Sequence, residues 1–145
     1  MTAQKILYEK DFYGWCNYQA EALVAGHIEL VDLENLAEEI RSVGNRERWE
    51  LINNLTVLLA HLLKLKFQSH MKGHSWKYTI LEHRDRVKKI LKENPSLNPQ
   101  LMECVETAYG YARIRAAKET MMKIENFPKE MPFTFEDAMK EGWVE

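Results

Sequence analysis

Cysteine, proline and glycine are scarce in this chain, with two, four and six residues among 145. Cys16 and Cys104 sit inside helical patterns with no short-spaced partner, which argues against a disulfide framework or a zinc knuckle and fits a reducing cytosol. No apolar run is long enough for a membrane span. The longest, residues 55–65, is interrupted by His61 and Lys64 and falls short of the roughly 20 residues a span needs. The first residues lack the apolar core and small-residue cleavage site of a signal peptide. Also missing are a Gly-rich phosphate loop, a nucleophile elbow and a metal-ligand cluster. These absences predict a soluble cytoplasmic protein with no cofactor and no membrane partner.

What is present is globular: 46% hydrophobic and 29% charged residues, in a length suited to one ordinary domain with a substantial core. The net charge of −2 conceals a segmentation. Residues 1–50 carry −5, residues 51–63 carry none, residues 64–92 carry +7 and residues 93–145 carry −4. A basic middle between acidic ends can meet an acidic partner, but the flanks suffice to neutralise it internally, and that reading is preferred.

Hydrophobic spacing predicts an all-α, single-domain bundle of about five main helices plus a short C-terminal one. The first helix is expected between Asp11 as N-cap and Gly26 as C-cap. Phe12, Trp15, Cys16, Gln19, Ala22 and Leu23 share its inner face. Gln19 there reads as a hydrogen-bonding residue at the core rim rather than a ligand contact. Asp32 caps a second helix that buries Leu33, Leu36, Ala37, Ile40 and Val43 and stops at Gly44. A third helix, opened by Asn45, carries Leu51, Leu55, Leu58, Leu62 and Leu65 on a stripe widened by Ile52, Leu59 and Leu63. Its apolar arc covers roughly 160° at 100° per residue, so it is the central helix. A loop follows at residues 68–75. A fourth helix then presents Trp76, Ile80, His83, Val87, Ile90 and Leu91 inward. Lys77, Arg84, Arg86, Lys88, Lys89 and Lys92 form its solvated basic face. Asn98 and Pro99 open a fifth helix whose face of Leu101, Val105, Ala108, Ala112 and Ala116 suits a bundle centre or a tight dimer seam. Pro128 and Pro132 mark an extended connector. Thr134 and Asp137 form a capping box for a last helix ending at Gly142, with Trp143 stapling the tail.

Candidate site residues are the polar groups on or beside apolar faces: Glu39, His61, His83, Arg84, Arg113 and Glu119. A carboxylate and a histidine within hydrogen-bond reach support general acid–base chemistry. Each also has a structural reading, as a satisfied donor or a salt-bridge partner. His70 and His74 are four apart, but Gly73 interrupts them and no carboxylate or thiol completes a metal set, so solvated loop histidines are expected.

The segments ENLAEEI (34–40), HLLKLKFQ (61–68), SWKYTI (75–80), NPSLNP (94–99) and AYGYARIRAAKET (108–120), with DFYGW (11–15) and the closing FP…PFTFED, together resemble the bacterial domain of unknown function 29 family. The resemblance spans nearly the whole chain. It implies an all-α protein, commonly a stand-alone chain, and brings no activity, cofactor or catalytic residue. Leu65 stands where that family often has Trp. The family is commonly rich in Arg and Pro around His70 and His74, which makes the His pair particular to this chain and further disfavours metal binding.

The preferred functional expectation is a non-enzymatic helical interaction module, binding an unknown protein or itself as a homodimer. The alternative is a small enzyme with a Glu/His/Arg-lined pocket between helices. Nucleic-acid binding through residues 77–92 ranks last, given the acidic overall balance.

Overall fold

A computed structural model describes residues 3–68 and 74–143. All of its regular elements are helical: α1 Ala3–Lys10, α2 Phe12–Ala25, α3 Leu33–Phe67, α4 His74–Glu93, α5 Leu101–Thr120 and α6 Phe135–Met139. The fold is therefore all-α. Two compact units divide the chain, residues 1–46 and 47–145.

The first unit contains α1, α2 and the N-terminal part of α3. Asp11 caps α2 by accepting from the Gly14 N–H at 3.0 Å. At the other end Gly26 takes φ +74°, the left-handed conformation that closes a helix, and its N–H reaches the carbonyls of Ala22 and Leu23. Asp32 then caps α3, its Oδ1 receiving the Asn35 N–H at 3.3 Å. Gln19 ties the intervening loop to α2: its Oε1 accepts the Asp32 N–H at 2.7 Å and its Nε2 faces the Leu30 carbonyl at 3.4 Å. This is the structural role expected at the core rim. Trp15 is buried under Tyr8 and Phe12, with ring centroids 4.8 and 5.7 Å away. The helix α1, eight residues long, was not anticipated.

Two expectations fail in this unit. Gly44 does not stop a helix, and Asn45 does not start one: α3 runs for 35 residues through both. Glycine permits a left-handed turn without imposing one. Its cost inside a helix, about 1 kcal/mol relative to Ala, is smaller than that of severing the hydrogen-bond ladder. The stripe expected to be buried is also largely open. Leu33, Ile40 and Val43 are 67%, 64% and 57% exposed, and Phe12 and Leu23 are exposed as well.

In the second unit the central position of residues 51–65 stands. Leu51, Ile52, Leu55, Leu58, Leu59, Leu62 and Leu63 are wholly buried. They pack with Ile80 and Val87 of α4, with Ala108, Ala112 and Ala116 of α5, and with Phe127 beyond it. The alanine face of α5 thus serves the bundle centre, where small side chains let backbones approach. A 3₁₀ turn, Pro95–Gln100, precedes α5, so Gln100 rather than Asn98 occupies the cap. Pro99 sits inside that turn. The Thr134–Asp137 capping box forms as expected, but α6 ends before Lys140, ahead of Gly142. Trp143 stacks edge-on against Phe133 at 5.0 Å, stapling the tail to the core.

Candidate functional site

The candidate side chains separate into three groups. Glu39 belongs to the first unit, where the Tyr8 hydroxyl donates to its Oε1 at 2.6 Å. That bond is the main reason the Tyr8 pKa is raised. Beside it, α2 and α3 frame a groove of about 320 Å³ lined by Cys16, Ala20, Leu23, Leu36, Ile40 and Val43. Glu39 is the sole charged group on its wall, and Trp15 and Gln19 complete its floor. The Trp15 indole N–H meets no acceptor among the described residues.

The second group is structural. Arg84 occupies the inner stripe of α4, buried, with its Nε donating to the Ala138 carbonyl at 2.9 Å. Its expected place on the solvated basic face is therefore wrong; a guanidinium can enter a core where carbonyls meet it. Arg113 reaches the same C-terminal segment, donating from Nε to Phe127 O at 2.9 Å and from Nη2 to Ile124 O at 3.1 Å. The Tyr109 hydroxyl donates to the Pro128 carbonyl. His83 is half-buried and its Nδ1 lies 2.8 Å from the Thr79 carbonyl of its own helix. Arg84, Arg113 and Tyr109 hold the tail onto α4 and α5.

His61 and Glu119 form the third group, joined by a residue that sequence reasoning passed over. Lys64 is only 5% exposed. Its ammonium pairs closely with Glu119 Oε2 and lies 4.8 Å from the Trp76 ring centroid. Arg115 Nε donates to the other carboxylate oxygen at 2.9 Å. Burial alone pushes the Glu119 pKa up, but the hydrogen bonds and charges of Lys64 and Arg115 outweigh it and hold the carboxyl below 4.5. His61 stands edge-on to Trp76 at 5.8 Å, with Nδ1 2.9 Å from Val57 O. Burial, aided by the Lys64 and Arg115 charges, lowers its pKa below 6.5 against the pull of the Val57 carbonyl and Glu119. The signal for Lys64 was available: a lysine on the apolar stripe of a central helix needs a buried partner.

Next to this cluster a second groove, about 550 Å³, opens between α3 and α5. Trp49 and Asn53 of α3 face Tyr111, Ile114, Arg115 and Lys118 of α5 across it. Their spacings, four apart on α3 and three or four apart on α5, place each set on one helical face.

Among the described residues no group of three or more His, Cys, Asp or Glu is placed to hold a metal. His70 lies outside the described residues, as does the side chain of His74. Both cysteines are free, Cys16 exposed and Cys104 buried. Among the described residues no helix is long and apolar enough to cross a membrane.

The chain matches the family model described as "Domain of unknown function DUF29" over residues 7–144. No curated protein and no solved structure gives a match. It belongs to the DUF29 family.

Proposed function

We propose that this member of the DUF29 family is a non-enzymatic interaction module that pairs with a second copy of itself through the apolar face of α2 and the N-terminal part of α3. One observation carries the reading. The first unit, under a third of the chain, holds nine of the sixteen large hydrophobic residues exposed among the described residues. Leu23, Ile40 and Val43 line one groove between α2 and α3, and exposed apolar surface of this kind marks an interaction site. The exposed parts of Phe12, Leu23, Leu33, Ile40 and Val43 equal nearly three full side chains. At the burial typical of such side chains that is roughly 300–500 Å², about half of one partner's share of a standard interface, about 800 Å², and fit to form its apolar centre.

A second copy suits this face because it needs no charged complement. Glu39 is already hydrogen-bonded by Tyr8, and the Glu38–Arg41 pair is exposed and internally matched at 2.9 Å. Depletion of charge at the centre of a patch is the compositional mark of an interface, and a two-fold arrangement closes on itself. The alternative, a small enzyme built on Glu39, His61, His83, Arg84, Arg113 and Glu119, is disfavoured because each of these groups already has a structural partner.

Light scattering tests the proposal. A dimer is expected at high micromolar concentration, and Ile40→Asp with Val43→Asp should give a monomer whose helical content is unchanged. Cys16 supplies an independent readout: its alkylation should slow as protein concentration rises, while buried Cys104 stays unreactive throughout. A wild-type monomer at high micromolar concentration, with Cys16 alkylation independent of concentration, would overturn the proposal.

A further inference from the structure

We infer that the groove between α3 and α5 is a binding site for a small anion carried on a planar aromatic ring, in chemical terms a mononucleotide. Its size, about 550 Å³, falls within the range of small-molecule sites, about 300–1,000 Å³. Trp49 and Tyr111 line it while remaining 47% and 51% exposed. Two half-open aromatic rings on facing helices offer stacking surfaces to a flat ligand. The Asn53 side chain, also exposed, adds an amide that can donate to and accept from a ring edge or a ribose.

The charge balance selects an anion. Glu119 lines the groove, but its two oxygens are engaged by Lys64 and by Arg115. The Lys64 charge cancels that of Glu119, so Arg115 and Lys118 leave the groove with an excess of two positive charges. Arg115 binds Glu119 through Nε, which leaves its terminal nitrogens to a ligand. Lys118 makes no ion pair among the described residues. An arginine fork beside a lysine is suited to phosphate oxygens. The buried Lys64 therefore has a positioning role: it occupies Glu119, so that the carboxylate does not claim both neighbouring cations.

Calorimetric titration of the full chain with adenosine 5′-monophosphate tests this, with adenosine, ribose 5-phosphate and a short single-stranded oligoribonucleotide as comparison ligands. Saturable binding of the mononucleotide is expected, with adenosine and ribose 5-phosphate each at least about tenfold weaker. Lys118→Ala should weaken the mononucleotide about tenfold and leave adenosine unchanged. Tyr111→Ala should weaken both. Each residue is exposed, so circular dichroism should show the fold intact. The inference is overturned by absence of saturation up to roughly 10 mM or by affinity indifferent to both substitutions. It also fails if the oligoribonucleotide binds more tightly than the mononucleotide with a steep salt dependence, which would assign the face to nucleic acid.

Discussion

The two units satisfy their apolar side chains in opposite ways. Residues 47–145 bury theirs against one another, around a stretch of α3 that has neighbours on several sides. Residues 1–46 bury only Trp15, Gln19 and Ala22 among the described residues, and leave the other apolar side chains part-buried or exposed. Similar residue types are spent on a core in one unit and on a surface in the other. Amphipathic spacing specifies that a helix has an apolar face; whether this chain or a partner covers that face depends on how many other elements are at hand. Two helices and a short third cannot enclose a core, and a large exposed face is what remains.

The sharpest test of that contrast is truncation of one side chain in each unit. Leu59→Ala should cost about 2–5 kcal/mol, because it opens a cavity among wholly buried neighbours. Ile40→Ala, at an exposed position, should change single-chain stability by no more than about 0.5 kcal/mol. Urea midpoints measured at low protein concentration compare the two. Equal losses would mean that the first unit has a core after all.

Lys64→Ala comes next in size. It removes a buried cation of the second unit and leaves Glu119 with Arg115. A loss of about 1–3 kcal/mol is expected, the usual cost of breaking a charged hydrogen bond in a part-buried setting. Glu119→Ala would expose the same coupling from the other side, and a double-mutant cycle would isolate it.

These positions also show what the sequence made legible. The central role of residues 51–65, the alanine face of α5, the Asp11 and Asp32 caps, the Gly26 stop and the Thr134–Asp137 capping box were all readable, because each rests on a local pattern with a physical cause. Gly44 was misread because the same residue can close a helix or sit inside one, and only backbone conformation distinguishes the two. Arg84 was misread because its charge outweighed its position: it is four residues from Ile80 and three from Val87, squarely on the buried stripe. The candidate site was less accessible. Sequence placed His61 and Glu119 beside apolar faces, but their meeting through Lys64, 55 residues from Glu119, is a long-range pairing that no local period encodes. The groove of Trp49 and Tyr111 was passed over because those rings lie off the main apolar stripes.

Glycine substitutions probe the continuity of α3 at its boundary position with a smaller effect of either sign. A Cβ added at Gly44 meets nothing within 4 Å, and the residue has no positive φ. Gly44→Ala should therefore stabilise the protein by about 0.5–1 kcal/mol, through helix propensity and a less flexible unfolded chain. Gly26→Ala should instead destabilise by about 1–2 kcal/mol, since φ is +74° there and an L side chain is strained whatever the space. Thermal unfolding of both variants decides the matter. Destabilisation by Gly44→Ala would mean that the helix breaks there.

The smallest effect expected is a pH step carried by the second unit alone. His61 has its pKa lowered, first by burial, so the folded chain takes up that proton at lower pH than the unfolded chain does. Above pH 6.5 both states leave the imidazole neutral and it contributes no pH dependence. As pH falls below that value the unfolded state binds the extra proton, and stability declines until the folded imidazole is protonated too. Glu119 acts lower on the scale. Its depressed pKa gives stability that is present above 4.5 and lost as pH falls through the folded value. Acid should therefore weaken the protein in two stages, the histidine stage first. His61→Phe should abolish the upper stage, keep the edge-on packing against Trp76, and leave the Glu119 stage in place. Urea midpoints at about pH 7.5, 5.5 and 4 separate the stages. An upper stage that persists in His61→Phe would transfer the effect to another group of the protein.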